Sequence, residues 1–538
     1  MDRLFIWILL ILSALTVNSQ VIELPFGKLR GRDNGPYYSY ESIPYAEPPL
    51  GELRFESPQP YRQKWESIFD ATKPPEPCMQ WDQLYENPEN KSKLEGVEDC
   101  LTVNIYTPKA NKGPHPVIVI IHGGCFMFGG VKNYDIGRFT SLGNAIVVAI
   151  AYRVGPLGFL SAEHKDLSGN NGLKDQRLAL EWIHENIAFF GGDPQNVLLV
   201  GHSAGGASVN FQLLRPDFHR LAKAAVSVSG VALNPWAMPK QARERAFAIG
   251  DMLGCDHRYI AKKLKKCLQS KPAEDIVSTV QQFQVSGYVP FTMFGPVVED
   301  VAAPNAFVTQ HPRETMKSGS CSQVPWLVTY TKEDGGYNAA TLLEKDPNTG
   351  QEIIEVLNTQ WLDLAPHLLF NGQQGPSTYA QSLEIRQRYM GNRSFNIANY
   401  PALEKMFTDV LFKDGIEETM KLHRKHGRSP LYAFIYENPL LFGAGQILSK
   451  RTDYQFGTVH GDDFFLLFPL LNVGKELRPN DQSILDKFHK MLIEFTLSTS
   501  GDLQYGTCRF INNSNEPYLQ LMNITSDSCQ NVAVKSLP

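Results

Sequence analysis

The sequence predicts an α/β fold: a large, mostly parallel, twisted central sheet with helices on both faces. Three observations carry that expectation. Residues 116–121 (PVIVII) and 145–152 (AIVVAIAY) are continuous apolar runs rich in Val and Ile, as strands buried on both sides are. Helical patterns stand between the strand-like runs, and such alternation makes a mostly parallel sheet. Third, the short apolar run 197–200 passes through Gly201-His202-Ser203-Ala204-Gly205 into a helical stretch at 207–214. A strand that turns so sharply into a helix holds the central serine in a strained conformation and exposes its Oγ.

Taken in order, the chain of 538 residues begins with Met1-Asp2-Arg3, an apolar run over 4–17 and then Asn18-Ser19. That is the pattern of a signal peptide, residues 1–19, with cleavage after Ser19. The run is shorter than a membrane span needs, and no second stretch is long enough, so no membrane anchor is expected. The last residues, 534–538, carry neither a retention signal nor a lipid-anchor tail. The expected destination is extracellular. Residues 20–538 read as one domain, with no internal repeat, low-complexity tract or linker.

Within it, residues 20–60 are rich in turn formers and hold the cluster Tyr37-Tyr38-Ser39-Tyr40, which suggests short antiparallel strands. The strand at 116–121 ends in His122-Gly123-Gly124-Cys125-Phe126. A helix over 174–190 shows an apolar side through Leu178, Trp182, Ile183 and Ile187, and stops at Gly191-Gly192-Asp193-Pro194. Later strands are expected at 224–229, 324–330 and 431–436, and helices at 239–253 and 481–497. In such sheets functional residues sit on loops beyond the strand C-terminal ends, where 122–124, 203 and 334 all fall.

A formal net charge of −5, with both signs mixed along the chain, argues against a nucleic-acid partner. Eight cysteines suit an oxidising compartment. Cys78 with Cys100, Cys255 with Cys267, and Cys508 with Cys529 lie close in sequence and could each close a surface loop, although spacing does not fix connectivity. Cys125 and Cys321 are left over. Sequons at Asn90, Asn392, Asn512 and Asn523 lie in polar, loop-like stretches that could carry glycans. No cluster has metal-ligand spacing, so neither a metal nor an organic cofactor is expected.

A serine hydroxyl is a poor nucleophile until a base takes its proton, and the base needs an orienting carboxylate. Where a nucleophile elbow is used, the chain order is serine, acid, histidine. After the 324–330 strand, either Glu333 or Asp334 could be the acid. Among later histidines, His423, His426 and His489 lie between lysines and arginines on expected helix surfaces, and His367 follows a proline. Only His460 sits in a loop framed by small residues, Gly457-Thr458-Val459-His460-Gly461. The backbone N–H groups of Gly124, Cys125 and Ala204 could form an oxyanion hole. Phe126, Phe128, Phe291 and Phe294 are pocket candidates, though core packing explains aromatic residues more often.

Together these stretches resemble the carboxylesterase type-B family. The span Phe190-Gly191-Gly192-Asp193-Pro194 leading to Gly201-His202-Ser203-Ala204-Gly205 is similar to its serine signature. Glu98-Asp99-Cys100-Leu101-Thr102-Val103-Asn104-Ile105-Tyr106 is similar to its second signature. The resemblance covers nearly all of the mature chain and implies an α/β-hydrolase fold, a Cys78–Cys100 bond and an Arg153–Asp175 ion pair. It is closest to secreted insect beta-esterases, through Asp33-Asn34-Gly35-Pro36-Tyr37-Tyr38-Ser39-Tyr40, Gly201-His202-Ser203 and Glu333-Asp334-Gly335-Gly336-Tyr337. Related enzymes place their acid immediately before a glycine in such a stretch, which implies Asp334 as the acid. This chain departs from cholinesterases in having His202 before the serine, and from many relatives in having Cys125 where the oxyanion loop repeats glycine. The implied function is that of a secreted, glycosylated serine carboxylesterase acting on small-molecule esters through Ser203, His460 and Asp334. The alternatives are an inactive adhesion protein on the same fold and a specialised hormone or pheromone esterase or lipase.

Overall fold

The computed structural model describes residues 19–83, 92–109, 113–283, 285, 291–345, 350–370, 372–470, 473–500 and 502–534. Almost all of the expected signal peptide, and the sequon at Asn90, lie outside them. The longer strands are β1 (Ser19–Leu24), β2 (Gly27–Asp33), β3 (Tyr37–Pro44), β4 (Thr102–Pro108), β5 (His115–Ile121), β6 (Ile146–Ile150), β7 (Gly192–His202), β8 (Ala224–Val228), β9 (Trp326–Thr331), β10 (Leu431–Glu437), β11 (Gln520–Thr525) and β12 (Cys529–Ala533). They form one sheet in the order β1-β2-β3-β4-β6-β5-β7-β8-β9-β10-β11-β12, with the short strand Phe69–Asp70 flanking β2. From β6 to β11 every pairing is parallel, while the strands before β6 and the last strand pair antiparallel.

The central strands are apolar because helices leave neither face to water. Every residue of β5, β6, β8 and β9 is buried. The helices that position the site are α1 (Asn171–Asn186), α2 (Ala204–Leu213), α3 (Tyr400–Phe407), α4 (Asp414–His426), α5 (Asp462–Leu467) and α6 (Pro479–Leu497). The expected helix over 174–190 starts earlier, at Asn171, and its last turn, Ile187–Phe190, is a 3₁₀ turn closed by Gly191 at φ 85°. A single π-helical turn, Thr408–Lys413, joins α3 to α4.

Three expectations need correction. The region between Cys508 and Cys529 is not a polar loop. Leu521, Met522 and Ile524 are buried, and they carry β11 into the sheet beside β10. Asn523 therefore stands in a strand, whereas Asn392 is exposed and the Asn512 carboxamide caps the turn at Ser514. His489 is not on a helix surface. It is buried, with Nε2 at 3.0 Å from the Gly143 carbonyl oxygen, because α6 packs the inner side of its turn against the sheet. His423, half-buried, meets the Ser429 hydroxyl at 3.1 Å.

Disulfides join Cys78 to Cys100, Cys255 to Cys267, and Cys508 to Cys529. Cys125 is free and buried, while Cys321 is free and only half-buried. The Arg153 guanidinium donates to both carboxylate oxygens of Asp175, at 2.8 and 2.7 Å, in a pair wholly inside the protein. Among the described residues no helix is long and apolar enough to cross a membrane.

Candidate active site

The elbow forms where β7 meets α2. Ser203 has φ 59° and ψ −122°, a conformation that costs a non-glycine residue about 1–3 kcal/mol and persists only where the surroundings impose it. Its N–H donates to the Val228 carbonyl on β8 at 2.7 Å, and its own carbonyl accepts the Ala207 N–H at 2.9 Å. The flanking glycines are a steric need. A Cβ on Gly201 would lie 2.1 Å from the Gly205 carbonyl oxygen, and one on Gly205 would lie 2.1 Å from that of Ile121. Ala204 opens the helix, so its N–H is one of the donors that a helix N-terminus leaves unpaired.

Asp334 and His460 come together from loops 126 residues apart. Nδ1 of the imidazole lies 2.7 Å from Asp334 Oδ1. The other carboxylate oxygen accepts the Thr331 N–H at 3.3 Å. Both side chains are buried, and burial without a counter-charge pushes the carboxyl up and the imidazole down. Burial thus favours the neutral imidazole of His460, whose Nδ1 faces the Asp334 carboxyl. Its Nε2 is buried and makes no hydrogen bond in the structure, which leaves it the open acceptor.

Glu333 points elsewhere. Its Oε2 accepts the Thr458 N–H at 2.8 Å, and its N–H donates to the Thr458 carbonyl at 3.1 Å. It braces the loop that carries His460 without touching the ring's nitrogen.

The loop after β5 lies against the elbow, since a Cβ on Gly123 would be 3.0 Å from the Ser203 Cβ. Gly124, Cys125 and Phe126 have φ of 109°, 58° and 59°, a run of left-handed residues that turns the chain back on itself. The Gly124 carbonyl accepts the N–H groups of Met127 at 2.8 Å and Phe128 at 3.0 Å. The Gly123 amide faces the Tyr134 phenol. The Cys125 thiol is buried between Tyr337 and Asp82, and burial holds it protonated.

The surroundings of His460 carry no mark in the sequence. The His202 ring lies 4.6 Å from it, stacked on Phe464 at 5.3 Å and set edge-on to Phe465 at 5.3 Å. Both His202 nitrogens are buried without hydrogen-bond partners, and burial lowers its pKa far enough to keep it neutral. Phe412 and Tyr337 cover other sides of His460 at 4.7 and 5.6 Å. Asp462 and Asp463, which follow it, are buried carboxyls pushed up to about 8 and about 7. Only their adjacency to His460 marked them. Of the aromatic pocket candidates, Phe291 packs on Tyr337 at 5.7 Å, while Phe126 packs against Phe159 at 5.2 Å and is core. Among the described residues no group of His, Cys, Asp and Glu is arranged to hold a metal ion.

The model of the carboxylesterase family matches residues 18–535. This chain belongs to the carboxylesterase family. Esterase-5B of Drosophila miranda is 54% identical over 522 residues, spanning 96% of this chain and 95% of that protein. Esterase-5C of the same species is 51% identical over 521 residues, with 96% and 95% covered. Among solved structures, juvenile hormone esterase from Manduca sexta, with OTFP covalently attached, superimposes with a TM-score of 0.80 over 96% of this chain and 97% of that one, at 23% identity. The likeness shows the fold: the sheet of this carboxylesterase is that of the α/β-hydrolases. Family and relatives make the protein a carboxylic-ester hydrolase, whose substrates are small-molecule esters.

Proposed function

We propose that this carboxylesterase works through a Ser203–His460–Asp334 triad and an acyl-enzyme. His460 Nε2 takes the Ser203 proton as Oγ attacks the ester carbonyl carbon. The oxyanion that forms is held by the N–H groups of Gly124, Cys125 and Ala204, aided by the N-terminus of α2. Nε2 then returns the proton to the departing alcohol. Water, deprotonated by the same nitrogen, attacks the acyl-serine and releases the carboxylic acid. Asp334 stabilises the imidazolium formed in each half-reaction and fixes the tautomer.

The observation that carries this reading is the buried Asp334–His460 hydrogen bond of 2.7 Å, with Nε2 left open. A neutral imidazole with one nitrogen held by a carboxylate is the arrangement a general base needs.

Secretion belongs to the same proposal. It is supported by the apolar leader, three disulfides and the exposed sequon at Asn392. The test is kinetic: Ser203→Ala and His460→Gln, assayed with one simple ester beside the wild type, should each lose at least about a thousandfold in turnover. Wild-type protein inert towards every simple ester would favour a binding protein on this fold instead.

A further inference from the structure

The π-helical turn Thr408–Lys413 touches His460 and the residue that follows Asp334. π-Turns are rare and cluster at functional sites. Residues four apart share a helix face, and here they are Thr408 and Phe412. The Thr408 Oγ1 accepts the Gly335 N–H at 2.7 Å, one residue beyond the Asp334 carboxylate's own backbone. The Phe412 ring lies 4.7 Å from the His460 ring.

The hydroxyl is used twice. While it accepts from Gly335, its own proton is donated to Glu404 Oε1, one turn earlier on α3. Thr408 and Glu404 are both buried. Gly335 comes so close to this helix that a Cβ on it would lie 2.1 Å from the Thr408 nitrogen. The turn is tied from its far side as well. The Asn234 carboxamide donates to the Leu411 and Phe412 carbonyls at 2.9 and 2.8 Å, and the Trp236 indole donates to Leu411 at 2.8 Å.

We propose that Thr408 is a positioning residue for the Asp334–His460 pair: its hydroxyl, oriented by Glu404, holds the Gly335 amide and so fixes the backbone from which the Asp334 carboxylate reaches His460. The proposal rests on the triad reading above. Asp334 is shorter than a glutamate by one methylene, so the placing of its backbone decides whether Oδ1 meets Nδ1. A shift of about 1 Å in such a geometry costs up to about a hundredfold in rate.

The experiment compares wild type, Thr408→Val, Thr408→Ser, Glu404→Met and Asp334→Asn on one ester, with rates expressed per mole of protein whose fold is checked by circular dichroism. Thr408→Val keeps the shape and loses the acceptor. Its kcat should fall about ten- to a hundredfold with KM within about twofold of wild type, and Thr408→Ser should restore most of the rate. Glu404→Met, which leaves the hydroxyl unoriented, should lower kcat in the same way, and it carries the test if Thr408→Val does not fold. Full kcat in Thr408→Val or in Glu404→Met, beside a crippled Asp334→Asn, overturns the positioning role and leaves the triad standing. Equal losses in Thr408→Val and Thr408→Ser would make the effect one of packing and also overturn it. A fully active Asp334→Asn overturns the triad reading, and this proposal with it.

Discussion

Glu333 and Asp334 are neighbours in the chain with different partners: Asp334 Oδ1 lies 2.7 Å from His460 Nδ1, while Glu333 Oε2 takes the Thr458 N–H at 2.8 Å. Asp334→Asn keeps the shape but removes the charge and favours the wrong tautomer, so turnover should fall about a thousandfold or more. Glu333→Gln keeps an oxygen acceptor for Thr458 and should change turnover less than about threefold. Both variants, assayed on one ester, decide between the two carboxylates. A crippled Glu333→Gln beside an active Asp334→Asn would reverse the assignment.

The oxyanion loop makes a second pair of expectations. A Cβ on Gly124 would fall 2.0 Å from the Phe128 carbonyl oxygen, at a φ of 109°. Gly124→Ala must move the amides of residues 124 and 125, and kcat should fall about a hundredfold or more. Cys125→Gly keeps the amide and relieves a left-handed non-glycine residue, so kcat should stay within about threefold while stability does not fall. Steady-state kinetics and thermal melts on the two variants read this directly. An active Gly124→Ala would remove the loop from the mechanism.

The pH profile follows from the burial of His460. A group whose folded pKa is depressed is neutral, and able to act as a base, at every pH above that value. The acid limb of kcat/KM should therefore have its midpoint below the ordinary 6.5 of a histidine. Initial rates from pH 4 to 9 locate it. A midpoint above 7 would mean that the Asp334 charge outweighs desolvation at this imidazole.

The free cysteines separate by exposure. Under native conditions an alkylating reagent should label Cys321 slowly and leave Cys125 untouched until the protein is unfolded. Non-reducing peptide mapping should return the pairs 78 with 100, 255 with 267 and 508 with 529. Rapid native labelling of Cys125 would show that the oxyanion loop opens to solvent.

What was legible in the sequence was what local pattern dictates. The runs at 116–121 and 145–152 became β5 and β6 because Val- and Ile-rich segments fit a sheet covered on both faces. The sharp turn at Ser203 was legible because it needs glycine on both sides, as the structure shows. Which of Glu333 and Asp334 meets His460 was not legible in those two residues, since a strand end fixes which neighbour faces the histidine only through its register. β11 was hidden because polar residues and a sequon interrupt its buried face. The ring of His202, Phe412 and Tyr337 around His460 was illegible for a different reason. Those contacts join four separate segments, and no single stretch carries a mark of them.

The most direct test of the mechanism is the mass of the chain after exposure to an organophosphate ester. Ser203 is the residue at the turn of the elbow, with φ 59° and ψ −122°, and is the proposed nucleophile. One phosphoryl group per folded molecule is expected, located by peptide mapping on the tryptic fragment that contains Ser203, with turnover lost in proportion to labelling. Ser203→Ala should take up none and hydrolyse no ester. Stoichiometric labelling at another residue, or a Ser203→Ala protein with wild-type turnover, would contradict it.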